Sequence, residues 1–141
     1  MRIVTSSWFV ALPDDIIRIG ISRGTPRGQQ GYKMYRALAP GPWFRSVDYD
    51  TYQKRYFGML AQRDAADVVS DLERLTDGRD AALLCFEPAQ PGPAWCHRAL
   101  VSVWLYERCG LAVYEYGLED EGFGWRHPKL PPEVRVSSST R

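Results

Sequence analysis

Ala81-Ala82-Leu83-Leu84-Cys85-Phe86-Glu87 is followed, after a Pro/Gly-rich spacer, by Cys96-His97-Arg98-Ala99-Leu100-Val101. The first run is apolar up to its last residues, as a central strand covered on both faces must be. The second opens on a thiol, an imidazole and a guanidinium and then turns apolar with helical spacing. The pair reads as a buried strand, a loop and a helix N-terminus. Such a terminus carries partial positive charge and unpaired N–H groups, so it suits an anion. The stretch therefore proposes both a parallel α/β fold and a place where something binds.

Working outward, three further apolar runs read as strands: Ile3-Val4, Ile16 to Ile21, and Leu111 to Tyr114. Helices separate the later strands. Asp50 or Thr51 is a candidate cap for a helix reaching about Gln62, with Tyr52, Tyr56 and Leu60 on one face. Asp64 is a candidate cap for the next, whose stripe is Val68, Val69, Leu72 and Leu75 and whose stop is Gly78. The third is expected from about Trp95 to Arg108, ended by Gly110. Helix–strand alternation of this kind predicts a three-layer α/β sandwich with a small, mainly parallel, Rossmann-like sheet and helices on both faces.

In parallel sheets the ligand crevice lies beyond the carboxyl ends of the strands. That rule gathers Thr5, Ser6, Ser7 and Trp8 after the first strand and Ser22 and Arg23 after the second. It adds Cys85 and Glu87 after the third, and Glu115 and Tyr116 after the fourth. Cys96, His97 and Arg98 face the same rim from the helix start.

The C-F-E element, the spacer and the C-H-R-x-L-V run resemble the signature of domain-of-unknown-function family 488. The opening Ile3-Val4-Thr5-Ser6, then Leu12-Pro13, the Ile17–Ser22 strand and the Ala39-Pro40 step resemble the family's short branch. The resemblance covers roughly residues 2 to 116. It implies a small α/β domain of bacterial and archaeal proteins, and it speaks to fold more than to activity.

Each rim residue admits two roles. Arg98 either grips an anion with its planar fork or pairs with Glu87 or Glu115. His97 is either an acid–base group or an imidazole bonded to a backbone carbonyl. Cys96 is either a thiol activated by the helix start and Arg98 or a small buried apolar residue, and Cys85 fits the buried role better. Glu87 serves as a general base or as a bridge across the loop. Ser6 and Ser7 bind a ligand or cap a turn. Trp8 or Tyr32 would stack on a ring. Catalysis, if present, falls to Glu87, His97 and Cys96. Arg98, Arg23, Ser6, Ser7, Trp8, Cys85 and Glu115 are the binding candidates.

Several classes are disfavoured. No C-x-x-C pair occurs and no second His lies near Cys96-His97, so no metal site is read. Neither G-x-x-x-x-G-K nor G-x-G-x-x-G occurs, which argues against ordinary nucleoside-triphosphate hydrolysis and standard dinucleotide binding. No cofactor is expected. The spacing Cys96…Arg98 is not that of a cysteine-phosphatase loop.

The 141 residues suit one domain, expected over 1–127 with a loosely ordered tail over 128–141. The net charge of +1 predicts no general attraction to nucleic acid. Locally, however, the stretch from Ile16 to Val47 has no acidic residue. Arg23, Arg27, Lys33 and Arg36 stand there among Tyr32, Tyr35, Trp43 and Phe44, a pattern that fits phosphate contact with base stacking. Three unpaired cysteines and the lack of a secretory or membrane-spanning run lead to the expectation of a cytoplasmic protein with reduced thiols and no membrane partner. Three functions compete: a pocket for a small anionic ligand or nucleotide, a nucleic-acid accessory domain, and a non-catalytic interaction domain.

Overall fold

The computed structural model describes residues 1–90 and 94–136. The middle of the Pro/Gly spacer and the last five residues of the expected tail lie outside the described residues. Strand β1 (Ile3–Ser7), β2 (Ile16–Gly20), β3 (Tyr32–Met34) and β4 (Asp80–Cys85) form one parallel sheet in the order β1-β4-β2-β3. The helices are α1 (Tyr49–Leu60), α2 (Ala65–Thr76) and α3 (His97–Cys109). Residues 81–85 of β4 are buried without alternation, because β1 and β2 flank the strand and both its faces are covered.

The helix ends follow from local chemistry. Asp48 caps α1 by accepting the Thr51 N–H at 2.9 Å, two residues before the first expected cap, and Asp50 then falls in the first turn. Asp64 caps α2 as expected, accepting from Ala66 N–H at 2.8 Å. Asp77, at φ 56°, ends α2 in the left-handed region just before Gly78. Gly110, at φ 69°, ends α3 in the same way.

The parallel α/β sandwich is as the pattern requires, but its helices are not divided between the faces. Tyr52, Tyr56 and Leu60 of α1, Val68 and Leu72 of α2, and Leu100, Val101, Trp104 and Leu105 of α3 all join one core with Ile3, Ile19, Ala81 and Leu83. The opposite face carries Val4, Ile16, Ala82 and Leu84, covered by Trp8, Leu12, Tyr32, Met34 and Tyr116. The reason is topological. Parallel crossovers are right-handed, so connections running in opposite directions across the sheet lie on opposite faces. Both helical connections, β3 to β4 and β4 to Glu115, run the same way. The β1-to-β2 and β2-to-β3 connections run the other way and contain only loops.

Two expected elements change. Leu111–Tyr114 is not a strand. The chain touches β1 through a single parallel bridge at Thr5 and Glu115, with Thr5 N–H donating to Tyr114 O and Tyr116 N–H to Thr5 O. Residues 32–34 of the basic stretch, where no strand is expected, form edge strand β3. The expected loose tail also packs: residues 127–131 are buried, and Leu130 belongs to the main core.

Gly20 lies where Trp8 crosses β2. A Cβ there would stand 2.5 Å from Trp8 Cζ2 and 2.4 Å from Met34 Sδ, and the buried Trp8 ring has no room to retreat. Gly58, exposed within α1, has no such neighbour. Gly20→Ala is therefore expected to lower stability by about 1–3 kcal/mol. Gly58→Ala should raise it by about 0.5–1 kcal/mol. Urea midpoints of the two variants check the contrast.

Candidate functional site

The site is assembled where β4 ends and α3 begins. Cys85 is the last residue of β4, and Cys96 is the N-cap of α3. The Cys96 N–H donates to Lys129 O at 2.9 Å, so the segment after residue 127 holds the helix start in place. Cys85, Cys96 and His97 are buried, and one ligand atom from each lies within 4.8 Å of the others. His97 Nε2 is 2.8 Å from Ile21 O, so it carries the proton and donates to that carbonyl. Nδ1 then keeps its lone pair free. Cys96 Sγ lies 3.8 Å from it, and Cys85 Sγ lies alongside the ring, 3.7 Å from Nδ1 and 3.9 Å from Nε2. Of the two roles read for His97, the carbonyl-bonded one describes Nε2.

The two thiols are electrostatically unequal. Burial opposes a thiolate at Cys96, but the Cys85 S–H and the Arg98 charge outweigh it and bring Cys96 well below the ordinary thiol range. Burial and the neighbouring Cys96 push Cys85 well above it. One negative charge on this sulfur pair therefore favours Cys96. Burial, followed by the charge on Cys96, pushes the half-buried Glu87 carboxyl up to about 7.

Arg98 pairs with Glu115. Nε donates to Oε1 at 2.9 Å and the fork's Nη2 to Oε2 at 2.7 Å, with both side chains fully buried. Nη2 also reaches Pro88 O at 3.2 Å, tying the loop after β4 to the helix. The carboxylate is the end of a relay. Lys129 N–H donates to His127 Nδ1 at 3.0 Å, which makes Nε2 the protonated ring nitrogen. Nε2 donates to Thr5 Oγ1 at 2.7 Å, and Thr5 Oγ1 donates to Glu115 Oε1 at 2.8 Å. Burial first, and then the Arg98 charge, lower the His127 pKa to about 3, in keeping with a neutral ring.

Cys85, Glu87, Cys96 and His97 line a cavity of about 500 Å³. Its other walls include Ser22, Arg23, Phe44, Arg45, Tyr52 and Trp95. Arg23 reaches it while donating to Pro40 O at 3.0 Å, and Arg45 lies over the Phe44 ring at 5.2 Å. Neither has an ion-pair partner among the described residues. Thiol, carboxyl, guanidinium and aromatic groups thus share one lining.

The remaining expected residues lie elsewhere. Arg98 and Glu115 do not line the cavity. Ser7 Oγ accepts the Phe9 N–H at 3.3 Å, a turn contact, and buried Ser6 Oγ has no partner among the described residues. Trp8 is buried on the loop-covered face, where its Nε1 donates to Ser22 Oγ at 3.0 Å and its ring meets Tyr32 edge-on. Of the basic loop, Lys33 donates to Leu75 O at 2.6 Å and Arg36 to Arg23 O at 3.1 Å, while Arg27 is exposed. Sequence reasoning missed Arg45, Tyr52 and Trp95 as wall residues and His127 and Lys129 as support. Arg45 sits in the basic run, Tyr52 in a segment read as core helix, Trp95 at the expected helix start, His127 at the end of the expected domain and Lys129 in the expected tail.

Fold and site together define a small parallel α/β domain with a pocket at the carboxyl end of its central strand. The chain belongs to the DUF488 family: residues 3–109 match the family model described as the active DUF488-N3 subclade. No curated protein and no solved structure matches it. No helix among the described residues is long and apolar enough to cross a membrane.

Breaking one side of a buried ion pair strands the other charge. Arg98→Met is expected to cost about 3–5 kcal/mol. Adding Glu115→Leu should recover part of that loss, so a double-mutant cycle on urea midpoints will show strong coupling. His127 gives a second test. Its folded pKa lies below the ordinary 6.5, so between about 6.5 and about 3 the unfolded chain binds the extra proton and stability falls as the pH falls. The slope from this group is about 1.4 kcal/mol per pH unit. His127→Gln should remove that share of the slope, as measured by denaturation at stepped pH.

Proposed function

We propose that the cavity over Cys85, Cys96 and Glu87 binds a small anionic molecule carrying a ring, of the nucleotide or phosphorylated-metabolite class, and acts on it there. The observation that carries this reading is the lining itself. It combines two guanidinium groups, Arg23 and Arg45, with two thiols and the Glu87 carboxyl, and with the rings of Phe44, Tyr52 and Trp95. Arginine forks recognise phosphate and carboxylate oxygens, and aromatic walls accept a planar ring. The ligand's reacting end would lie over Cys96 and Glu87. Glu87 is the group for proton transfer, since His97 Nε2 is committed to Ile21 O. The word "active" in the matched family's description supports a reaction rather than binding alone.

Arg98 enters this reading as a positioning residue. It holds the loop after β4 and the start of α3 against Glu115 and leaves the anion to Arg23 and Arg45. The nucleic-acid alternative draws less support. Lys33 and Arg36 spend hydrogen bonds on backbone carbonyls, and Tyr32 and Trp43 are engaged edge-on with Trp8 and Tyr52.

Calorimetric titration with inorganic phosphate and with nucleoside 5′-monophosphates tests the proposal. Arg23→Met and Arg45→Met should each weaken binding by about 10- to 100-fold, the scale of a charge-assisted hydrogen bond. Arg27→Met should leave it unchanged. Glu87→Gln should retain binding and lose any turnover. Wild-type protein that binds none of these anions, or an Arg23→Met/Arg45→Met protein that binds as well as wild type, overturns the reading.

A further inference from the structure

The three buried groups on the cavity wall have a geometry that their sequence spacing conceals. We propose that Cys85 Sγ, Cys96 Sγ and His97 Nδ1 form a three-ligand site for a divalent ion of the zinc class, with a fourth position open to the cavity.

Four observations carry this. The donor set is two thiolate-forming sulfurs and one imidazole, the soft S₂N combination that selects zinc over hard cations. The spacing fits. Zinc–sulfur bonds of about 2.3 Å and zinc–nitrogen bonds of about 2.0–2.1 Å place tetrahedral S and N ligands about 3.5–3.6 Å apart. The two sulfur–Nδ1 distances are 3.7 and 3.8 Å, and all three donor atoms fall within 4.8 Å of one another. The free imidazole nitrogen is the one a ligand set needs. Nε2–H is held by Ile21 O at 2.8 Å, which leaves Nδ1 unprotonated, and metal-bound histidines characteristically donate their other N–H to a carbonyl or carboxylate. Cys85 Sγ, 3.7 Å from Nδ1 and 3.9 Å from Nε2, must turn toward the Nδ1 lone pair to complete the set. Finally, all three residues line the cavity, so an ion among them keeps one side toward it. Three protein ligands plus an open position is the arrangement of catalytic rather than structural zinc.

Charge closes as well. Two thiolates and a neutral imidazole balance a divalent ion, and the Arg98 charge close by is already matched by Glu115. A site so built deepens the anion-pocket reading and rests on it only for the role of the fourth position, which would take a ligand oxygen or water beside Glu87.

The test uses the full chain, stripped by chelator and reconstituted with Zn²⁺ or Co²⁺ under reducing conditions. The expected result is one equivalent of bound metal and, for cobalt, a thiolate-to-metal charge-transfer absorption that changes on adding thiocyanate. Cys85→Ser and Cys96→Ser should each weaken metal binding by roughly a hundredfold or more, beyond the 10- to 100-fold that losing an outer-sphere partner costs. Cys109→Ser, which removes the exposed cysteine, should not change it. Should either buried-site variant fail to fold, the wild-type stoichiometry and cobalt spectrum decide. Substoichiometric metal, absence of the charge-transfer band, or a Cys85–Cys96 disulfide in the reduced preparation overturns the proposal. A cobalt spectrum indifferent to thiocyanate overturns the open position. Protein that takes up the ion but binds neither phosphate nor a nucleoside monophosphate sustains this site and sinks the anion-pocket reading. Protein that binds phosphate but no ion does the reverse.

Discussion

The buried pair between Arg98 and Glu115 is the constraint on which the arrangement depends. A guanidinium in the first turn of a helix opposes the helix dipole, and taking it out of water adds a further cost. Both are tolerated because Glu115 answers with two hydrogen bonds and is itself held by Thr5. The pair joins three parts of the chain: the start of α3, the single bridge beside β1, and the loop after β4 through Pro88 O. Once those are joined, Cys96 and His97 have little choice of position relative to Cys85. The geometry of the thiol–imidazole cluster is therefore inherited from an ion pair that does not touch the cavity.

The uneven distribution of helices matters for the same reason. With all three on one face, the carboxyl end of β4 meets the α3 N-terminus on the helical side. The cavity is walled there by Tyr52 of α1 and by the segment around Phe44. The opposite face is closed by Trp8 beneath the β2 strand, a packing that only Gly20 permits. The basic loop thus has two jobs. Lys33, Arg36 and Arg23 all pin it to backbone carbonyls, and of these Arg23, with Arg45, also lines the cavity.

Much of the framework was legible in the residues. The unbroken apolar run at 81–85, the Asp64 cap and the Gly110 stop led to the strand and helices that the structure has. The C-F-E…C-H-R pattern marked Cys85, Glu87, Cys96 and His97, which line the cavity. An Arg98 pair with Glu87 or Glu115 was anticipated, and it is Glu115. What was hidden depended on long-range placement. The 128–136 segment has little core-forming content, yet Lys129 and Leu130, with His127 just before them, are buried, and Lys129 O accepts the N–H at the start of α3. The helix distribution follows from strand order, which local periodicity does not encode. The Cys85–Cys96–His97 cluster escaped a motif reading because its donors come from two elements separated by a loop. Arg45 was visible as one charge among many, with no local sign that it faced the cavity.

If the Arg98–Glu115 pair is structural and the adjoining cavity takes the anion through Arg23 and Arg45, the arginines must answer an added ligand differently. Their side-chain Nε–Hε resonances, followed by NMR while a nucleoside 5′-monophosphate is added, separate the two roles. Saturable shifts are expected at Arg23 and Arg45, with Trp95 and Cys96 backbone amides moving in step and Arg98 keeping its buried environment. Shifts confined to Arg27, Lys33 and Arg36, or an Arg98 that leaves Glu115 for the added anion, would contradict that division of roles.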